Sequence, residues 1–111
     1  MIDSYEFGKI KINGKEYNHD VIIFPEGIKD WWRKEGHSVI IEDVKEVIEK
    51  KPKTIIFGMG EPGEMKVPEN TKQELEKLGI EVIVEPTKKA CGIFNKLSEK
   101  GDVVAALHLT C

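Results

Sequence analysis

Apolar and polar positions alternate from Tyr5 to Ile12, with Phe7, Ile10 and Ile12 set among Lys and Glu, a period-two texture that predicts a strand. Asn13-Gly14 follows, the dipeptide best suited to a two-residue hairpin turn. Glu16 to Phe24 predicts the returning strand and its continuation, in which Val21-Ile22-Ile23-Phe24 is an apolar run closed by Pro25. Residues 25–38 keep no clean period and hold Gly27, Trp31, Trp32, Gly36 and His37. They predict a long surface connection of the kind that carries function or moves.

From residue 42 the texture turns helical. Val44, Val47 and Ile48 mark one face of a helix over 42–50, with acids early and lysines late as the macrodipole prefers, and Pro52 ends it. Thr54-Ile55-Ile56-Phe57 is a short buried strand ending at Gly58. Pro68 opens a second helix with Thr71, Leu75 and Leu78 inward and Gly79 after it. Ile80 to Val84 predicts another strand. Thr87 can cap a third helix whose Ala90, Ile93, Phe94 and Leu97 follow the i, i+3, i+4, i+7 rule, with Gly101 at its end. Val103 to Leu109 is almost continuously apolar, as in a strand covered on both faces. The order β-β-β-α-β-α-β-α-β predicts one α/β domain over 1–111. It would have three layers, a mixed, partly parallel central sheet and an N-terminal antiparallel β portion.

Composition narrows the functions. At 111 residues, 40% hydrophobic and 33% charged, the chain has apolar mass for a real core and is not disordered. Net charge is −3, with lysines and glutamates interleaved rather than striped, which argues against nucleic acid as a partner. No apolar run reaches 18 residues and no signal-peptide core opens the chain, so a cytoplasmic protein with no membrane partner is expected. Sixteen of the 17 basic residues are Lys, and Glu outnumbers Asp 15 to 5. That loading resembles the surface ion-pair networks of thermophiles.

Three parallel strands joined by right-handed crossovers would bring their carboxyl ends to one edge, where open α/β sheets bind ligands. That edge would hold Gly58-Met59-Gly60, Glu85-Pro86-Thr87 and His108 to Cys111. Gly58-x-Gly60-x-x-Gly63 matches the dinucleotide spacing, with Glu85 placed for a ribose hydroxyl. Pro62 removes a backbone donor from that loop, however, and the helix opens only near Pro68. A flexible glycine turn is the simpler reading, and no cofactor is expected.

His19, His37 and His108 share no metal-type spacing and two cysteines are too few for a thiolate site, so no metal is expected. His108, late in a buried strand, is either a hydrogen-bonded core residue or a site residue. Cys111 lies beside the chain-terminal carboxylate, whose charge disfavours a thiolate nucleophile. Cys91 reads as a small packing residue, and Gly92 as a point of close backbone approach. Arg33 is the one arginine in a chain that otherwise uses Lys, and it follows Trp31-Trp32. A guanidinium there either binds a carboxylate or phosphate beside indole, or forms an internal salt bridge that pins the loop. Two adjacent tryptophans in so small a domain can hardly both be buried, so one should face a partner or line a pocket.

Trp32-Arg33 with Gly36-His37, Gly58-x-Gly60, Thr87-x-x-Ala90-x-x-x-Phe94-Asn95 and the final His108-Leu109-Thr110-Cys111 together resemble the Mth-like domain family. The likeness runs from about residue 5 to the last residue. Members of that family include an adipogenesis-associated protein of animals and a mitochondrial complex I assembly factor. The resemblance implies a three-layer domain with a mixed sheet, assembly or regulatory roles, and no established catalytic activity. Its shared residues fall here on Arg33, Gly58, Gly60, Thr87, Asn95, His108, Thr110 and Cys111, while Gly63 lies outside the pattern. With Trp32 added, these are the expected binding residues; no catalytic residue is identified. The expected function is a non-enzymatic protein-interaction, assembly or regulatory module whose partner is another protein. The alternative is a binding protein or enzyme for a small anionic ligand, a nucleotide or phosphometabolite, using a pocket of Arg33, Gly58-Gly60 and His108.

Overall fold

The computed structural model describes residues 1–111. The opening β portion is more finely divided than the alternation suggests. Strands β1 (Ile2–Glu6), β2 (Lys9–Ile12) and β3 (Lys15–Tyr17) form an antiparallel sheet in that order. The expected single strand over 5–12 is broken at Phe7-Gly8, where Gly8 has φ +80° and Phe7 points into solvent. The Asn13-Gly14 turn stands as expected, with φ of 50° and 82° at its two residues. β4 (Val21–Phe24) leaves this sheet for a larger one. The expected surface connection over 25–38 contains a further strand, β5 (Gly27–Asp30), paired antiparallel to β4. Five strands, not three, therefore precede the first helix. β5 escapes a period search because only its Ile28 is partly buried.

After a 3-10 turn over Ile41–Val44 come α1 (Lys45–Lys50), β6 (Thr54–Met59), α2 (Glu69–Lys77), β7 (Glu81–Glu85), α3 (Thr87–Ser98) and β8 (Val103–His108). The second sheet is mixed, in the order β5-β4-β8-β6-β7. β6 runs parallel to both β7 and β8, and β4 antiparallel to β8. Mixed α/β architecture with an additional antiparallel sheet is thus what the chain adopts.

Two cores flank this sheet, and strand parity divides the residues between them. Ile22, Phe24, Ile55, Phe57, Met59, Val104 and Ala106 pack with Val44, Val47, Leu75 and Trp31 on the α1/α2 side. Val21, Ile23, Ile56, Val103, Ala105 and Leu107 pack with Ala90, Cys91 and Phe94 of α3 and with Ile2, Ile10 and Ile12 of the small sheet. β8 is buried along its whole length, as its continuous apolar run requires. Leu78 lies just past α2 and is 43% exposed instead of inward. Gly92 faces open space, so no neighbouring backbone demands it. Lysine–carboxylate pairs are present, but only Lys9 bridges two acids. The charged surface is a set of isolated exposed pairs, each contributing little.

Candidate functional site

The carboxyl ends of β6, β7 and β8 meet at one edge of the sheet, at Met59, Glu85 and His108. Because β4 runs against β8, its beginning lies at that same edge. Val21 pairs with Leu107, so Asp20 comes alongside His108. β5 returns to the edge and delivers Trp31, Trp32 and Arg33 there.

The three polar side chains meet. Asp20 Oδ2 accepts from Arg33 Nη2 at 2.8 Å and from His108 Nδ1 at 2.7 Å, and Asp20 Oδ1 accepts the Leu109 N–H at 2.8 Å. Arg33 Nη2 also lies 3.2 Å from His108 Nδ1 and donates to the Gly36 carbonyl at 3.0 Å. The Arg33 guanidinium carbon sits 4.5 Å from the centre of the Trp31 ring, the cation–indole stacking that favours Arg over Lys. Burial alone would raise the Asp20 carboxyl, but hydrogen bonds from His108, Leu109 and Arg33 outweigh it and hold the group below its usual range. Asp20 is therefore ionised near neutrality and acts only as an acceptor.

The two tryptophans divide. Trp31 is buried against Phe57, and its Nε1 donates to the Asp43 carbonyl at 3.0 Å. Trp32 is 75% exposed. Asp43 ties the far side of the loop, accepting the N–H groups of Lys34 and Ile40 on its two carboxylate oxygens. An exposed indole thus stands on a segment held by Trp31, Arg33 and Asp43.

The glycine spacing has a packing explanation. A Cβ on Gly58 would come within 2.8 Å of the Leu107 side chain and 2.9 Å of Thr87 Oγ1. A Cβ on Gly60 would lie 2.1 Å from the Thr110 carbonyl oxygen and 2.9 Å from the His108 ring. Gly60 N–H donates to Thr87 Oγ1 at 2.8 Å, and that hydroxyl donates to the His108 carbonyl at 2.5 Å. Thr87 thus clips β8 to the loop after β6, whereas the expected capping bond at the start of α3 is not made. The Thr110 carbonyl accepts Glu61 N–H, and the Leu109 carbonyl accepts both Gly8 N–H and the Tyr5 hydroxyl. Burial first, then nearby negative charge, pushes Tyr5 up to about 12, so its phenol remains a donor. Thr87 takes the Gly60 N–H and Thr110 the Glu61 N–H, so these backbone donors, which a pyrophosphate would require, are already engaged.

Arg33, Gly60, Thr87, His108 and the Thr110 backbone therefore gather in one place, with Gly58 beneath them. Asn95 does not join them. Its side-chain amide accepts Ile2 N–H and donates to the Ile2 carbonyl, both at 2.8 Å, fastening α3 to the small sheet. Cys111 is exposed at the chain end and makes no hydrogen bond. Of five surface cavities of about 260–480 Å³, one opens at this edge beside Met59, Gly63, Glu85 and Pro86 and another is lined by Trp32, but neither Arg33 nor His108 lines any of the five. Sequence reasoning missed Asp20, Asp43 and Tyr5. The only trace of Asp20 in the sequence is an acid directly ahead of an apolar strand, which acquires meaning once the β4–β8 pairing is known.

Cys91 is buried and its thiol is pushed up to about 12 by that burial. At pH ~8, iodoacetamide is therefore expected to label Cys111 promptly in the folded protein and Cys91 only on unfolding. Mass mapping of labelled peptides checks this, and equal rates at both would contradict the packing of α3.

Comparison with known proteins agrees with this architecture. The human protein "NADH dehydrogenase [ubiquinone] 1 alpha subcomplex assembly factor 3" is 29% identical over 108 residues, covering 95% of this chain and 58% of that protein. This chain therefore spans a little over half of that relative's length. The crystal structure of conserved hypothetical protein PH1505 from Pyrococcus horikoshii OT3 superposes with a TM-score of 0.90 at 28% identity, covering 100% of this chain and 99% of that one. The solution structure of a Bordetella pertussis protein described as an Mth938-like domain shares the fold with a TM-score of 0.79 at 18% identity, covering 98% and 85%. The resemblance to Mth-like domains thus holds across the whole molecule. A family model for proteins of unknown function, DUF498/DUF598, matches residues 2–108, and the chain belongs to that family.

Proposed function

We propose that the chain is a non-enzymatic protein-interaction module of the assembly kind, and that Trp32 is its principal contact. The observation that carries this reading is the 75% exposure of an indole whose neighbours on both sides are locked. Solvent-facing aromatic side chains on pre-ordered backbone concentrate binding energy, since little entropy is lost when they are covered. The 29% identity to a human assembly factor supports the same direction. No helix is long and apolar enough to cross a membrane, and both cysteines are free thiols, which suits a reducing cytoplasmic setting.

Arg33, with its side chain 6% exposed, contributes by holding the loop rather than by touching a partner. Trp32→Ala is thus the separating variant. It is expected to change unfolding free energy by no more than about 0.5 kcal/mol. Cross-linking and affinity purification from the native host should recover a stoichiometric partner with the wild type and lose it with the variant. An unchanged set of co-purifying proteins would overturn the reading.

A further inference from the structure

Trp32 lines a cavity of about 260 Å³ between the β4–β5 hairpin and the chain from Glu42 to Val47. The buried part of its lining is apolar, with Phe24, Trp31, Val44 and Val47. Its charged lining is one-sided: Asp30, Glu42, Asp43 and Glu46 stand against Lys45 alone. Asp43 accepts two backbone N–H groups, Asp30 lies 3.3 Å from His19, and Glu46 is paired with Lys29. Glu42 is exposed and its carboxylate has no partner. One residue before Trp32, the chain already combines indole, guanidinium and carboxylate. The Arg33 guanidinium stacks on Trp31 at 4.5 Å while Asp20 accepts its Nη2 at 2.8 Å. Trp32 carries no cation of this chain.

We propose that this groove seats an arginine side chain from a partner protein, an inference that rests on Trp32 being the partner contact. Size and charge dictate the occupant. The cavity is smaller than the roughly 300–1,000 Å³ typical of small-molecule sites, so it suits one inserted side chain. Its carboxylates do not gather closely enough to hold a metal ion, which leaves an extended organic cation as their complement. An acidic side chain would be repelled, and an apolar one would leave the carboxylates unanswered. Between the two basic side chains, geometry favours arginine. A guanidinium can lie flat on the Trp32 indole while its edge N–H groups donate to Glu42, whereas a lysine ammonium is a compact point charge that cannot do both.

The test is an NMR titration of the folded wild-type protein with a capped tripeptide carrying arginine between two glycines. The Trp32 indole N–H is followed, with the buried Trp31 indole as internal reference. A saturable shift at Trp32 is expected. The citrulline counterpart keeps the shape and loses the charge, and should bind at least about fivefold more weakly; the lysine counterpart should fall between the two. Glu42→Gln should weaken the arginine peptide about threefold and leave the fold intact, since that side chain is exposed and unpaired. No saturable shift at Trp32, equal binding of the arginine peptide and either counterpart, or unchanged affinity in Glu42→Gln would overturn the assignment. A partner that Trp32→Ala loses, while the arginine peptide leaves Trp32 unmoved, would remove the arginine and keep the contact. A partner that Trp32→Ala retains would overturn both.

Discussion

Gly60→Ala is expected to be the most damaging single substitution at the sheet edge, lowering unfolding free energy by on the order of 4 kcal/mol. Two costs combine there. The residue has φ of +91°, a conformation that L side chains rarely adopt. The added methyl would also lie 2.1 Å from the Thr110 carbonyl oxygen, which is backbone and cannot rotate aside. Relief requires the chain end to move. That movement strains the Glu61 N–H bond to Thr110 and the Thr87 clip between Gly60 and His108. Urea unfolding measures the effect, with Gly36→Ala as a control, since nothing lies within 4 Å of the Cβ position there. Near-equal midpoints for the two variants would show that the chain end does not pack as described.

Asp20→Asn is expected to cost about 3 kcal/mol, because it leaves a buried guanidinium without its counter-charge. The same carboxylate gives the wild type an acid-sensitive component with a definite sign. The Asp20 carboxyl is lowered in the folded state. Across the interval between folded and unfolded values, the unfolded chain therefore binds more protons. The stabilisation is complete above the unfolded carboxylate value of about 4 and is lost as pH falls through the lower, folded value. Urea midpoints between pH ~7 and ~2 should decline for the wild type and decline less steeply for Asp20→Asn. Parallel profiles would show that Asp20 is not held ionised by the cluster.

How much of this was legible in the sequence depends on the range of the interactions involved. The α3 face is local: Ala90 and Phe94 lie where the helical period puts them, and both are buried. The parallel trio followed from strands separated by helices, and right-handed crossovers then carried Met59, Glu85 and His108 to one edge. Arg33 stood out by composition alone, and it lies within hydrogen-bond distance of His108. Asp20 was invisible because its role depends on β4 crossing from one sheet to pair against β8, 86 positions separating Val21 from its partner Leu107. β5 was invisible for a different reason: Gly27, Lys29 and Asp30 are exposed, so the strand carries almost no hydrophobic signal. Thr87 looked like a helix cap because threonine before a helical period often is one. Its hydroxyl is instead engaged by groups at positions 60 and 108, which no local rule connects. The glycine spacing suits pyrophosphate and close packing equally; the preference for a plain glycine turn came from Pro62 and the late helix start, while the contacts of Gly58 with Leu107 and of Gly60 with Thr110 had no local signal.

A double-mutant cycle on Asp20 and Arg33 tests the central claim most directly, namely that one carboxylate joins the Trp32 loop to the final strand. Unfolding free energies of the wild type, Asp20→Asn, Arg33→Gln and the double variant yield the coupling between the two side chains. A coupling of about 2 kcal/mol or more is predicted, with the double variant little worse than either single one. A coupling near zero would mean that the loop is held by other contacts and that the cluster does not organise this edge.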